Sequence, residues 1–130
     1  MPTKMSKIET AIRIALAFNE AFNRQDVAGM VKLLSNDCVF ETSTPAPDGE
    51  TYTGTEALEQ YLHNFFRQSP QAHIQIEDIY GFGHRCNMHW RYTWVDEAGN
   101  QQQVRGIDIF QEKDGLICKK LAYVKSSYGY

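Results

Sequence analysis

The 130-residue chain lacks any run of Lys or Arg, and its formal charge is −3 at pH 7. Proteins that bind nucleic acid usually carry a basic patch or stripe, so we expect no nucleic-acid partner. The chain also lacks an apolar stretch close to the roughly 20 residues that a membrane-spanning helix needs. Its N-terminal segment does not read as a signal peptide, because Glu9, Arg13 and Glu20 interrupt the apolar positions. These absences predict a cytoplasmic protein that does not enter a membrane.

Cysteine is scarce, with only Cys38, Cys86 and Cys118 in the chain. An odd number of widely spaced cysteines fits reduced thiols in the cytoplasm better than disulfides. The four histidines show neither the H-x-H nor the H-x₃-H spacing that is typical of metal sites. We therefore predict no metal ion and no cofactor.

Hydrophobic residues make up 42% of the chain, enough for the packed core of one domain. The first half has helical periodicity. One helix is predicted from about Ile8 to Arg24, after a capping box at Ser6–Glu9. Asp26 is expected to cap a second, shorter helix. A third helix is predicted after another capping box at Thr53–Glu56 and ends before Pro70.

The second half of the chain changes to the alternating pattern of strands. A short strand is predicted at Cys38–Thr42, followed by a loop at Ser43–Thr53 that contains two prolines. Helices that precede hairpins indicate an α+β fold, in which three helices cover one face of a curved antiparallel sheet. The four further strand segments read HIQIEDIYGF, RCNMHWRYTWV, QQVRGIDIFQE and LICKKLAYVK.

One of these strands, VRGIDIFQ at residues 104–111, has an aspartate at its centre. Because side chains alternate along a strand, Asp108 shares a face with Val104 and Phe110. If that face is buried, a carboxylate lies in an apolar interior, where it must be paired, protonated or used in chemistry. Asp108 is therefore the first candidate for a catalytic residue.

Three further features carry a family resemblance: the strand DCVFET, the helix start G-T-E and the terminal hairpin GIDIFQEKDGLICKKLAYVK. Together they resemble the nuclear transport factor 2-like superfamily, and within it the SnoaL-like and ketosteroid-isomerase-like proteins. The resemblance covers about Ile8 to Val124 and implies a single SnoaL-like domain over residues 1–130. It also implies a cone-shaped sheet that encloses a deep, largely apolar pocket. Function varies within the superfamily from catalysis to binding and scaffolding, so the fold alone does not decide it.

The resemblance places Asp108 in this pocket. In ketosteroid isomerases the aspartate of this strand stays protonated and donates a hydrogen bond to the substrate oxyanion. In SnoaL-like cyclases the matching aspartate is the acid or base. The other isomerase residues are missing, because Phe18 stands in place of a tyrosine donor and Thr42 in place of the base aspartate. The epoxide-hydrolase-like set is incomplete too, since Gly106 replaces an arginine and residues 116–130 contain no acidic side chain.

The turn before the last strand decides whether Asp108 has a partner. A three-residue loop at Lys113–Gly115 would place Asp108 opposite Lys120, and such an ion pair would lower the pKa of Asp108. A two-residue turn would instead place Lys120 opposite Ile109. We predict the contact between Asp108 and Lys120, which serves either to fix the strand register or, as a pair in the pocket, to bind a ligand or take part in chemistry.

His89 has two open interpretations. If its side of the strand lines the interior, His89 is a candidate general base beside Asp108. If that side faces outward, the ring is simply solvated.

Aromatic residues form most of the expected core, and some of them are expected to line the pocket beneath the loop at Ser43–Thr53. Two functions stay open for such a pocket. One is cofactor-free acid/base catalysis of isomerase or cyclase type on a mostly apolar, oxygen-bearing ligand, with Asp108, Lys120 and His89 as candidate catalytic residues. The other is a non-catalytic, dimeric module that binds a small ligand. The predicted ligand-binding residues are Phe18, Phe40, Thr42, Tyr61, Phe65, Trp90 and Phe110.

The strand face opposite Asp108 carries Arg105, Ile107 and Ile109. An apolar patch on the outside of a sheet is unusual for a monomer. Members of the superfamily that the chain resembles commonly dimerise through this face. We therefore expect a homodimer.

Overall fold

Residues 3–125 fold into three helices and one six-stranded sheet. The structure is a computed structural model that describes these residues, with side chains from residue 10 onward. The helices are α1 (Thr3–Asn23), α2 (Val27–Val31) and α3 (Thr55–Gln68). The strands are β1 (Leu34–Glu41), β2 (Thr51–Thr53), β3 (His73–Phe82), β4 (Arg85–Val95), β5 (Gln101–Lys113) and β6 (Leu116–Lys125).

The first two helices follow the sequence pattern with one difference. α1 begins at Thr3 rather than at Ile8. The side chains of the capping box predicted at Ser6–Glu9 lie outside the described residues. Asp26 caps α2 as predicted, because its Oδ1 accepts a hydrogen bond of 3.0 Å from the backbone N–H of Gly29. None of the described helices combines the length and the apolar content that crossing a bilayer requires.

The segment before α3 contains a strand that the sequence did not predict. β2 lies at the end of the expected loop and pairs antiparallel with β1, with Thr53 opposite Val39. Its Tyr52 packs on Tyr61 of α3, with ring centroids 4.5 Å apart. Gly54 then begins α3 at a φ of 94° and without a side-chain cap, so the capping box predicted there is wrong. A positive φ suits glycine and turns the chain from strand to helix in one residue.

The six strands are ordered β2-β1-β6-β5-β4-β3, and the helices pack on one face of the sheet. The α+β fold class is confirmed. Four of the five strand pairs are antiparallel, but β1 runs parallel to β6. The expectation of a wholly antiparallel sheet is therefore wrong at this pair, because β1, the first strand in the chain, lies beside β6, the last strand in the chain.

The hairpin between β5 and β6 closes with the two-residue turn Asp114-Gly115, whose φ angles of 54° and 83° are both positive, as a type I′ turn requires. The predicted three-residue loop is therefore wrong. A register shift next to the turn offsets the shorter loop by one residue on β6. Glu112 pairs with Ile117, whereas Gln111 pairs with Lys119. Cys118 is the extra residue of a β-bulge.

The bulge determines which side chains of β6 face the helices. Beyond it, Phe110 pairs with Lys120, and Asp108 pairs with Ala122. Lys120 is thus on the same face as Asp108 but diagonal to it rather than directly opposite. On the other side of β5, Met88 of β4 pairs with Asp108.

The hydrophobic core lies between this inner face and the helices. Trp90 covers Gly106 so closely that a Cβ at Gly106 would lie 2.6 Å from the indole, which explains the glycine in the middle of β5. The largest fully buried side chains are Phe40, Phe110, Met30, Leu58, Met88 and Ile117.

Candidate functional site

A cavity of about 370 Å³ lies between the inner face of the sheet and the helices. This volume falls within the range of small-molecule sites. Six of the seven predicted ligand-binding residues border the cavity together with Asp108 and Lys120; the six are Phe18, Phe40, Thr42, Tyr61, Phe65 and Trp90.

The remaining one, Phe110, does not border the cavity. It is only 1% exposed and packs edge-on against Phe18, with ring centroids 5.9 Å apart. Its assignment as a ligand-binding residue is wrong, because it lies one inward position nearer the turn than Asp108, within the close-packed core.

Several cavity residues were missed from the sequence. Alternation along β4 places Met88, Tyr92 and Trp94 on the same face as Trp90. This alternation could have identified all three as cavity residues once Trp90 was assigned to the cavity. No local pattern in the sequence identified Asn19 of α1. The other missed residues that border the cavity are Phe22, Met30, Ser43, Thr44, Leu62, Ser69, Ile74, Val104, Ala122 and Val124.

Asp108 is buried in the cavity wall, with 4% of its surface exposed. Removal from water raises the pKa of its carboxyl group, because burial disfavours the charged form. The positive charge of Lys120 opposes this effect, as do the polar hydrogens of Trp90 and Lys120. Burial outweighs them, so the lowered pKa expected for a paired aspartate is wrong.

The contact between Asp108 and Lys120 is confirmed, at 3.8 Å from Oδ2 to Nζ. This distance suits an ion pair but exceeds hydrogen-bond length. The Trp90 indole N–H has no hydrogen-bond partner in the part of the chain that the structure describes, although it is close enough to Asp108 to lower the pKa of that carboxyl group. The Lys120 ammonium group lies over the ring of Phe40, 4.7 Å from its centroid. Cation–π contact therefore replaces part of the hydration that Lys120 has lost.

His89 lies on the outer face of the sheet, where it pairs with Asp78 of β3 and Ile107 of β5. Its ring centroid is 5.7 Å from that of Tyr80. The interpretation of His89 as a general base beside Asp108 is therefore wrong. The alternation that turns Trp90 inward necessarily turns His89 outward.

Thr42 borders the cavity but is engaged in holding the loop that follows β1. Its Oγ1 donates to the carbonyl oxygen of Thr44 at 2.8 Å and accepts from the N–H of Glu50 at 3.0 Å. Phe18 has no hydroxyl group at all. Neither Thr42 nor Phe18 therefore supplies the polar group that a ketosteroid isomerase would have at the same position.

The neighbouring tyrosine and cysteine side chains stay neutral. Burial raises the pKa of Tyr61 to about 12, and a nearby Asp108 charge adds to this effect. Burial likewise raises the pKa of Cys86 to about 11 and that of Cys38 to about 12. All three cysteines are unpaired, as predicted. Among the described residues, no group of three His, Cys, Asp or Glu side chains is arranged to hold a metal ion.

The curved sheet, its helical cover and the enclosed carboxyl group define a nuclear transport factor 2-like domain. A family model described as a SnoaL-like domain matches residues 15–120. The chain therefore belongs to the SnoaL-like family.

Solved structures agree with this assignment. A nuclear transport factor 2-like protein of unknown function from Mesorhizobium loti has 32% sequence identity and a TM-score of 0.77, with 92% of this chain and 94% of that chain covered. A putative polyketide cyclase from Xanthomonas campestris has 23% identity and a TM-score of 0.77, covering 92% and 93%. A putative ketosteroid isomerase from Kribbella flavida has 15% identity and a TM-score of 0.80, covering 99% and 86%. No curated protein matches the chain.

A double-mutant cycle tests whether Asp108 and Lys120 interact energetically. We expect Asp108→Asn and Lys120→Met each to lower the free energy of unfolding, because each leaves the other polar group buried without its counter-charge. The double variant should lose less than the sum of the two single losses by about 1 kcal/mol, as coupled sites do.

Urea unfolding of the four proteins near neutral pH measures this coupling. The exposed pair of Glu20 in α1 and Arg24, the residue that follows this helix, is 3.3 Å apart and is a matched control in which Glu20→Gln and Arg24→Met should be nearly additive. Full additivity at Asp108 and Lys120 would show that the pair has no energetic role.

Proposed function

We propose that this SnoaL-like protein is an enzyme that performs cofactor-free acid/base chemistry, of isomerase or cyclase type, on a small, mostly apolar ligand that carries an oxygen group. The observation that carries the proposal is Asp108, a carboxyl group with a raised pKa on the wall of an apolar cavity. A pKa shifted towards neutral pH suits a group that must both accept and donate a proton.

The cavity offers complementary roles to its two charged groups. In its ionised form, Asp108 takes a proton from a carbon next to a ligand carbonyl, and the electron pair moves onto the carbonyl oxygen. The Lys120 ammonium group, 3.8 Å from the carboxylate, stabilises the negative charge that develops on that oxygen. Asp108 then returns the proton to another carbon. Lys120 thus supplies the charge stabilisation that a tyrosine would provide in a ketosteroid isomerase. In this chain, Phe18 stands in place of that tyrosine.

The names of related structures support this class of reaction. The Xanthomonas campestris protein is a putative polyketide cyclase, and the Kribbella flavida protein is a putative ketosteroid isomerase. Neither name identifies the ligand of this chain. Because Phe18 and Thr42 replace two residues of the ketosteroid-isomerase set, Asp108 and Lys120 would perform this chemistry without that set.

Deuterium exchange into a carbonyl compound tests the proposal without knowledge of the natural substrate. We expect the protein to accelerate exchange at the carbon between the ring and the carbonyl of 2-tetralone, a mostly apolar bicyclic ketone, in D₂O. Asp108→Asn should reduce the accelerated rate by roughly 100-fold or more, as loss of an acid/base group does. NMR or mass spectrometry measures the deuterium content.

The matched control is Asp114→Asn, because Asp114 is exposed in a turn and asparagine tolerates its positive φ of 54°. This variant should exchange at the wild-type rate. If 2-tetralone quenches tryptophan fluorescence equally in wild type and Asp108→Asn, yet neither accelerates exchange, the protein is a non-catalytic binding module instead.

We also propose that the protein forms a homodimer through the outer face of the sheet and works in the cytoplasm. Tyr123 is 58% exposed on this face, opposite the half-buried Ile107 of β5. Phe82 and Tyr80 at the end of β3 are also exposed. Such a patch supports an interface. Three unpaired cysteines are compatible with a reducing compartment.

Light scattering at micromolar concentration should therefore give twice the chain mass of 14.9 kDa. Tyr123→Arg should give the mass of a monomer, because it places a charge in the middle of the patch. Leu16→Arg changes an apolar residue of α1 that is 38% exposed and lies away from the sheet, so it should leave the dimer intact. A monomeric wild type would reject the interface.

A further inference from the structure

The Lys120 ammonium group has unused binding capacity. Asp108 and Lys120 are the only charged side chains among the described residues that border the cavity. The ammonium group has three N–H donors, yet Oδ2 of Asp108 is 3.8 Å away, and the other contact that it makes within the described part of the chain is with the Phe40 ring. A cation that faces a cavity without a hydrogen-bond acceptor is suited to an anionic oxygen.

Resting on the proposed function, in which Asp108 holds a proton while the ligand oxygen beside Lys120 is anionic, we infer that the cavity binds a mostly apolar carboxylic acid in the same charge state. The carboxylate of the acid pairs with Lys120, and Asp108 takes up one proton from solvent. No covalent bond of the ligand changes in this step. Asp108 thereby becomes a donor, and its O–H group hydrogen-bonds to the ligand anion. The aromatic and aliphatic walls of the cavity contact the apolar body of the acid.

Proton uptake follows from the placement of the charges. A ligand carboxylate beside an ionised Asp108 would put two negative charges in a cavity that excludes most water, where they repel strongly. Protonation of Asp108 removes the repulsion and leaves the Lys120 charge to neutralise the ligand. It also creates a charge-assisted hydrogen bond, which is stronger than one between neutral groups. Burial, which raises the pKa of Asp108, already favours this form.

Among residues 10–125, no other group near the pair competes for this proton. Burial raises the pKa of Tyr61 on α3 and of Cys38 on β1 to about 12, and that of Cys86 on β4 to about 11. The pKa of Tyr92 on β4 is also raised by burial. These groups are already protonated at neutral pH. The residues that α1 presents to the cavity do not titrate.

Titration calorimetry with two probes of the same shape tests the inference. The acid probe is 2-naphthoate and the neutral probe is 2-naphthamide, each titrated near neutral pH in two buffers with different heats of ionisation. We expect the acid to bind about tenfold more tightly or better, equivalent to about 1.4 kcal/mol. The buffer dependence of the heat should show close to one proton taken up with the acid and none with the amide. The affinity for the acid should fall as the pH rises, because protons are taken up.

Variants separate the two roles. Asp108→Asn should still bind 2-naphthoate, but without proton uptake and with little dependence on pH. Lys120→Met should lose the preference for the acid over the amide. Lys119→Met is the matched control, because Lys119 is the neighbouring lysine of β6 on the outer face, and it should behave as the wild type does.

Three results would overturn the inference: equal affinity for acid and amide, proton uptake that persists in Asp108→Asn, or no binding of either probe at millimolar concentration. These results leave the exchange reaction of 2-tetralone as a separate readout. Loss of the acid preference with exchange intact rejects only the ligand class. Acid binding with no exchange activity rejects only the catalytic proposal.

Discussion

The chemistry of the cavity is governed by the balance between burial and charge at Asp108. Burial in an apolar wall raises the pKa of the carboxyl group, and the Lys120 ammonium group at 3.8 Å limits that rise without cancelling it. A closer, fully hydrogen-bonded pair would hold the carboxylate in its charged form. A carboxyl group without Lys120 would be a neutral acid across a wider pH range. At the observed spacing, a bound ligand can stabilise either the ionised or the protonated form of Asp108.

This spacing is produced by backbone geometry rather than by the two side chains alone. The type I′ turn at Asp114-Gly115 would, by itself, direct Lys120 to the outer face. The bulge at Cys118 inserts one residue and returns Lys120 to the inner face, diagonal to Asp108. A diagonal position across two strands is farther away than a directly opposed one. The long ion pair is thus a consequence of the turn and the bulge together.

Much of the fold was predictable because strand and helix periodicity are local properties. The four strands from His73 to Lys125, the Asp26 cap and the inward position of Asp108 all follow from alternation or from local capping. The parallel pairing of β1 with β6 was not predictable, since it joins segments about 80 residues apart that share no local signal. The short strand β2 was missed because the packing of Tyr52 against Tyr61 stabilises it through a tertiary contact.

The candidate site was predictable in its residues more than in its geometry. The alternation of β4 was visible, but whether His89 or Trp90 faced inward depended on which side the helices covered. The contact of Asp108 with Lys120 was anticipated, although its register was not, because bulges have no dependable sequence signature. The direction of the pKa change could not be derived from the sequence, since it depends on how far burial outweighs the nearby charge.

An NMR titration of the side-chain carboxyl carbon of Asp108 measures the effect of burial and of Lys120 on its pKa. We predict a midpoint above the ordinary value of 3.8, and a still higher midpoint in Lys120→Met, because the opposing positive charge is then absent. A midpoint at or below 3.8 in the wild type would contradict it, since Asp108 would then be a permanently ionised partner of Lys120.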